Sequence, residues 1–513
     1  MQVKNISFGK INCLYFAKLD IFSIFAAVYN SIDMAKIIGR ESEQRTLQAM
    51  CESGTAEFAI VYGRRRVGKT FLIREFFKND FAFYHTGLNP KELPESGRMQ
   101  AQLENFGSTL SRYGSDMKQT PKSWLQAFDM LITLLDSKPK DKRMVVFLDE
   151  MPWMDTARSM FLSAFEHFWN GWGAGQDNLI LIACGSATSW MCDELKNNTK
   201  GLYGRITRDM PLEPFNLYEC DKYFDSREMV MDGYDLIQTY MATGGVPYYL
   251  SCFEKGYTVA QNIDRTYFAK NAPLGDEFSR LFTSVFINSE NCEKTVRFLA
   301  TRRYGYSREE ISNGTKISTG SGLTKTLRGL VDCNLITSYK DILERQTYYK
   351  LTDAFCLFYL RFVDGKKTNN RTFWQNNQFS SAVNAWHGLA FEDLCFNHIP
   401  QIRRALGISG VSTEISTTLW RASDNIGGSQ IDMVISRADR HVHLCELKFS
   451  VNDVEIDKDY DAKLRDRLVN FQKIIGNRRI PEITLITTYG LKHNMYSGRI
   501  QQVVTMDDLI EKK

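Results

Sequence analysis

The chain has 513 residues, 43% hydrophobic and 24% charged, a balance that describes globular domains and excludes collagenous, low-complexity and predominantly disordered chains. At roughly 100–200 residues per domain, that length predicts three or four units, each burying its own core. The 64 Lys and Arg nearly cancel the 60 Asp and Glu, so no global field points to nucleic acid or a membrane, and such partners have to be read locally.

The eleven cysteines are scattered, odd in number and without a C-x-x-C pair, which predicts reduced thiols in the cytoplasm rather than a disulfide framework or a zinc cluster. The one close histidine pair, His441 and His443, lies in an alternating stretch that reads as a plain strand, so no zinc is expected. Ile11 to Tyr29 is apolar but carries Lys18 and Asp20. Its uninterrupted part, IFSIFAAVY from Ile21, is about half of the ~20 residues that span a bilayer, and no membrane segment is expected. Lys4 and Lys10 ahead of it also fit a secretory signal, a reading opposed by the free cysteines and by the nucleotide chemistry downstream. Met34 opens MAKIIGRESEQRTL, and residues 1–33 read as an upstream extension outside the fold.

From Phe58 the sequence runs FAIVYGRRRVGKTFLIREFF: a buried-strand candidate, a glycine-bounded loop, then apolar residues at helical spacing. MVVFLDE from Met144 and NLILIACGS from Asn178 are further buried strands, separated by helical material such as MFLSAFEHFWNGW. Short apolar strands alternating with helices predict an α/β fold with a parallel sheet. Gly63, Arg64, Arg65, Arg66, Val67, Gly68, Lys69 and Thr70 fit G-x-x-x-x-G-K-[ST] between strand and helix, the context that lets backbone N–H groups wrap phosphates at a helix amino terminus. Lys69 should reach the β- and γ-phosphates of ATP, and the Thr70 hydroxyl should ligate Mg²⁺. Asp149 at the end of VVFLDE is placed to hold the same ion, Glu150 to polarise the attacking water, and Ser186 of CGSAT to sense the γ-phosphate. Arg205 and Arg208 follow in GLYGRITRDMPLEPF; either is a candidate arginine finger, Arg205 the stronger, from its own subunit or a neighbour's.

The segments IIGRESEQRTL, GRRRVGKT, FLDEMPWM, CGSAT, LYGRITRDMPLEPF and GGVPYYL, in this order over about residues 34–280, resemble the archaeal and bacterial AAA-type ATPases of the extended STAND-like group. The resemblance implies an ATPase core at 34–215 and a helical lid at 216–285 containing Gly244-Gly245-Val246-Pro247. It also implies that Gly39 and Arg40 lie near the adenine.

Residues 286–365 are read as a winged helix-turn-helix: helices in CEKTVRFLATR, SREEISNGT and SGLTKTLRGLVDCNLI, then a hairpin in TSYKDILERQTYYKLT. Residues 291–355 carry eleven Lys and Arg against seven Asp and Glu, a net of +4. DNA is the expected partner, with Ser321, Thr324, Lys325 and Arg328 facing a groove and Lys340 and Arg345 near phosphates; a spacer between domains is the alternative. In the last unit, 366–513, SQIDMVIS and HVHLCELKFS flank the turn RADR. Glu446 and Lys448, two apart on a strand, share a face, and Asp432 lies on the preceding strand. Two carboxylates side by side would bind Mg²⁺ beside a water-orienting lysine, with Glu392 of HGLAFEDLCF completing the cluster. The set Glu392, Asp432, Glu446 and Lys448 resembles the PD-(D/E)xK nuclease superfamily, which implies a nuclease-like fold and, at Gln472 of LVNFQKI, a polar helper. Ser429-Gln430-Ile431-Asp432 lacks the superfamily's proline, which leaves catalysis and mere binding both open, as is a homo-oligomer.

Overall fold

The computed structural model describes residues 37–115, 119–199, 201–286, 288–342, 346–365, 371–420, 428–476 and 478–510. Residues 1–33 and Arg345 lie outside that set.

Strands β1 (Glu57–Tyr62), β3 (Met144–Asp149) and β4 (Leu179–Gly185) are buried at every position, as continuous apolar runs are when helices cover both faces of a parallel sheet. With β2 (Phe83–Thr86) and β5 (Arg208–Pro211) they form an all-parallel sheet in the order β2-β3-β4-β1-β5. Alternate residues of β1 feed opposite layers. Phe58 and Ile60 join an aromatic core with α3 (Arg98–Arg112), α4 (Trp124–Asp136) and α5 (Phe161–Gly171). Ala59 and Val61 face Leu47 of α1 (Glu41–Glu52) and Leu72 and Ile73 of α2 (Lys69–Phe76). The expected parallel α/β sheet is present.

Beyond the sheet, α6 (Leu217–Ser226) starts at a capping box of Asn216 and Glu219, and α7 (Gly233–Thr243) stops at Gly244 in the left-handed region. Gly245 is required by close approach, since a Cβ there would lie 2.0 Å from the Phe215 carbonyl oxygen. After α8 (Glu277–Val285) come α9 (Ser289–Leu299), α10 (Arg308–Thr315) and α11 (Ser321–Asp332). The antiparallel hairpin β7 (Ile336–Lys340) and β8 (Thr347–Leu351) follows, with β6 (Tyr306–Ser307) on the other edge of β8. The last part joins α12 (Ser381–Asn397) and α13 (Lys458–Ile475) to a mixed sheet built from β9 (Thr413–Trp420), β10 (Ser429–Arg437), β11 (His441–Lys448), β13 (Ile480–Thr487) and β15 (Ile500–Val504). Its order is β15-β13-β11-β10-β9, and β12 (Val454–Glu455) pairs with β14 (Leu491–Lys492) beside it.

The parts after the parallel sheet share one large core, while one face of the last mixed sheet buries a cluster of its own around Ile431, Leu444, Leu464 and Phe471. One apolar cluster runs from Phe215 through Tyr249, Leu327, Phe355 and Phe391 to Leu509. A continuous cluster of this kind removes more apolar surface from water than its separate segments would bury alone. Among the described residues no helix is long and apolar enough to cross a membrane.

Candidate functional site

The loop after β1 holds its shape through two glycines. Gly63 has φ +143 and leaves room for the Leu212 carbonyl, which a Cβ would approach to 2.2 Å; Gly68, at φ +92, starts α2. Lys69 is buried, and its Nζ donates to the carbonyls of Gly63 at 2.9 Å and Arg64 at 3.0 Å, so the ammonium sits within the loop rather than in solvent. The Thr70 hydroxyl donates to Asp149 Oδ2 at 2.9 Å. Burial, and then the neighbouring Glu150, pushes the Asp149 carboxyl above its usual range. A hydroxyl and a buried carboxylate in contact are the hard-oxygen donors that Mg²⁺ of a bound nucleotide takes, and a cation there would favour the charged form of Asp149.

Glu150 is strained, with φ +46. Its two carboxylate oxygens accept from the Ser186 hydroxyl at 2.7 and 2.8 Å, and Oε2 also accepts from the Ser186 backbone N–H at 3.0 Å. Glu150 and Ser186, expected from sequence to act separately in polarising water and sensing phosphate, are joined directly. Arg40 is buried at φ +56. Its Nη2 donates to the Val67 carbonyl at 3.2 Å and the Glu213 carbonyl at 2.6 Å, and its guanidinium lies 4.6 Å from the Phe215 ring centroid. It lines a cleft of about 640 Å³ with Glu43, Phe215, Tyr240, Gly244 and Asp353. Gly39, just before it, has φ +63 and packs on Glu219.

Neither arginine proposed as a finger reaches this loop within its own chain. Arg208 opens β5 opposite Ala59 and pairs with Glu57 at 3.0 Å, and the exposed Arg205 precedes it. Arg208 thus lies about 10 Å of strand short of the end of β1 and turns back towards its start, and Arg205, three residues earlier, lies farther still from the loop. The order of motifs could not show this, because consecutive motifs on a parallel sheet alternate between its two ends.

Residues 37–253 match the family model described as an ATPase domain predominantly from Archaea. The chain contains a P-loop ATPase domain. It is also 22% identical over 448 residues to the uncharacterized protein MJECL04 of Methanocaldococcus jannaschii, covering 84% of this chain and 92% of that one. Among solved structures, the Walker-type ATPase PABY2304 of Pyrococcus abyssi is 20% identical, covers 63% of this chain and 96% of its own, and superposes with a TM-score of 0.41. For the ORC2 protein of Aeropyrum pernix the identity is 12%, the coverage 63% and 93%, and the TM-score 0.39.

Outside the P-loop ATPase domain, Glu392, Asp432, Glu446 and Lys448 line one cleft of about 440 Å³. Glu392 comes from α12, and the others come from the β10–β11 hairpin. Asp432 sits at a bulge, where three steps of β10 match two of β9, the kind of irregularity that re-aims a side chain. Lys448 Nζ lies 2.9 Å from Glu446 Oε1, the Tyr460 hydroxyl donates to the same oxygen at 2.7 Å, and Arg467 pairs with Oε2. Burial pushes the Glu446 carboxyl up, but Arg467, Lys448 and the Tyr460 hydroxyl outweigh it and hold it below the usual range. Asp432 goes the other way, raised by burial and then by Glu446, and Glu392 is raised to about 7 by burial and then by Asp432. Among the described residues, no group of three or more His, Cys, Asp or Glu side chains is disposed to hold a metal ion.

Gln472 of α13, expected as a polar helper, turns instead to its own helix end, where Nε2 donates to the carbonyls of Gly476 at 2.7 Å and Arg479 at 3.1 Å. Tyr460 and Arg467, seven residues apart and so on one helical face, take the place beside Glu446. That spacing was visible in the sequence but unremarkable among the helix's many charges.

Most basic residues of the 291–355 segment are already paired. Arg297 bridges to Asp364 and Glu293, Arg302 to Glu310, and Lys294 to Glu290. Arg303 and Lys350 share Asp393. Arg328, expected to face a groove, pairs with Asp193 of the ATPase domain at 2.8 Å, and Gly329 beside it packs on Ser189. Lys316, Lys325 and Lys340 are exposed, and among the described residues they enter no ion pair.

Proposed function

We propose that the protein is an ATPase whose nucleotide state governs a Mg²⁺-dependent, nuclease-like domain acting on DNA, with residues 289–351 as the coupling element. The observation that carries the reading is the convergence of Glu392, Asp432, Glu446 and Lys448, from elements up to 56 residues apart, on a single cleft. A bound divalent ion would supply a Lewis acid and an activated water. In this chain Asp432 and Glu446 would hold it, Lys448 would orient the water, and Arg467 and Lys448 would face the phosphodiester once Glu446 turned to the ion. Arg303 and Lys350 tie the coupling element to Asp393, the residue after Glu392, which supports a mechanical link between this cleft and the rest of the chain. The test is cleavage of plasmid, branched and single-stranded DNA with Mg²⁺, with and without ATP, by the wild type and by Lys448→Ala.

A second reading, an ATP-driven switch that binds DNA or protein without cutting, is favoured by the state of Glu446, whose oxygens are both already taken by Tyr460, Lys448 and Arg467. Absence of Mg²⁺-dependent cleavage on all three DNA forms selects that reading. In it, Lys325 and its exposed neighbours remain the DNA-facing residues, and Arg205 would act only in a homo-oligomer that set it against a neighbour's nucleotide.

A further inference from the structure

The three arginines inside the phosphate loop are held differently. Arg65 is exposed, Arg66 is half-buried, and Arg64 is fully enclosed. Arg64 Nη1 pairs with Asp353 Oδ2, and its Nη2 donates to the Tyr249 hydroxyl at 3.5 Å. That hydroxyl donates to Glu277 Oε1 at 3.2 Å, and Glu277 Oε2 lies 2.9 Å from Arg66 Nη2. A continuous chain, Asp353, Arg64, Tyr249, Glu277, Arg66, thus leaves the loop through one arginine and returns through another. Neither carboxylate belongs to the sheet that carries the loop: Glu277 opens α8, and Asp353 follows the β7–β8 hairpin.

Both carboxylates are almost wholly enclosed, Asp353 with 5% and Glu277 with 2% of its surface exposed. A charge so enclosed is stable only when paired, so each carboxylate fixes the arginine opposite it. Asp353 is itself fixed, because its Oδ1 accepts the Cys356 N–H at 2.8 Å as the cap of the helix that follows. The constraint reaches the nucleotide chemistry through the backbone. The Arg64 carbonyl is one of the two acceptors of Lys69 Nζ, and Arg66, at φ +73, stacks on Tyr248 at 4.0 Å while its carbonyl accepts the Tyr248 N–H at 3.4 Å.

We propose that Asp353 and Glu277 are positioning residues for nucleotide binding: through Arg64 and Arg66 they hold the phosphate loop in its receptive shape, so affinity for Mg-ATP is set from outside the P-loop ATPase domain. The inference rests on Gly63–Thr70 being the nucleotide site, and it spends binding energy before the ligand arrives, as preorganised sites do.

The test is calorimetry with Mg-ATP and steady-state phosphate release on the full chain, for the wild type, Lys69→Ala, Asp353→Asn, Glu277→Gln, Arg66→Ala and the double variant Arg66→Ala/Glu277→Gln. Wild-type binding that Lys69→Ala abolishes establishes the nucleotide site by itself; no wild-type binding removes that reading and the proposal with it. The expected result is a Kd at least tenfold higher for Asp353→Asn and Glu277→Gln, with the loss falling on KM more heavily than on kcat. The double variant should be no weaker than the weaker single one, because the two residues act through each other. Wild-type Kd in Glu277→Gln, even with a lowered Tm, overturns the proposal, as do effects of Arg66→Ala and Glu277→Gln that simply add. Should Asp353→Asn not fold, the Arg66 and Glu277 cycle decides alone.

Discussion

His398 accepts the backbone N–H of Leu217 on Nε2 at 3.0 Å. Its Nδ1 lies 2.8 Å from the Leu394 carbonyl, which assigns the proton to Nδ1. The ring thereby satisfies one of the orphan donors at the start of α6 and ties that helix to the end of α12. A second proton on Nε2 would abolish that bond.

Stability should therefore depend on pH in the weakly acidic range. Burial, the leading cause in each case, lowers the pKa of His398, His387 and His443 to about 4 and that of His85 to about 3. Because these folded values lie below the unfolded value of ~6.5, the stabilisation is complete above that pH and is lost as pH falls through 6.5 towards 4. Each histidine contributes a slope of about 1.4 kcal/mol per pH unit in that window. Chemical denaturation at pH 7.5, 6, 5 and 4.5 should show the loss, and His398→Gln should flatten it by about one proton.

For the ATPase centre, Lys69→Ala is expected to abolish Mg-ATP binding, whereas Glu150→Gln binds normally and turns over at least about a hundredfold more slowly. Ser186→Ala, which removes the hydroxyl that holds both Glu150 oxygens, should lower kcat about tenfold with little change in Kd. Calorimetry and phosphate release separate the three, and full turnover by Glu150→Gln removes that residue from the role of base.

The ion pair between Arg328 and Asp193 makes the DNA prediction directional. Lys325→Ala should weaken duplex binding and reduce the salt dependence of log K by about 0.9, the value of one phosphate contact. Asp193→Ala frees Arg328 from the ATPase domain and should tighten binding. Titrations at several salt concentrations measure both, and no change in either variant favours a coupling element that does not touch DNA.

Asp432 and Glu446 should respond oppositely when their charges are removed. Asp432→Asn relieves a carboxylate that burial and Glu446 disfavour, so it should retain or gain stability while losing Mg²⁺-dependent cleavage. Glu446→Gln leaves Arg467 and Lys448 around an uncharged group inside the cleft and should cost about 3 kcal/mol as well as activity. Because Glu446 is buried, its pairs with Lys448 and Arg467 are not surface salt bridges of negligible value. Thermal melts with and without Mg²⁺, alongside cleavage assays, distinguish the two variants.

The residues that act through their immediate neighbours along the chain were legible from sequence. Gly63 to Thr70 is a local backbone shape with its chemistry attached, and the runs FAIVY, VVFLD and LILIACG announce buried parallel strands because both their faces must be covered. The shared face of Glu446 and Lys448 follows from the two-residue period of a strand. What required the tertiary structure were the partners chosen across distance. Arg64 finds Asp353 at a separation of 289 residues, and Arg66 finds Glu277. Arg205 and Arg208 fall at the wrong end of the sheet for an in-chain finger, and Tyr460 and Arg467 rather than Gln472 reach Glu446. Local spacing fixes direction and periodicity, whereas the pairing of a buried charge is decided by which element the shared core brings against it, a property of the whole packing that no short window contains.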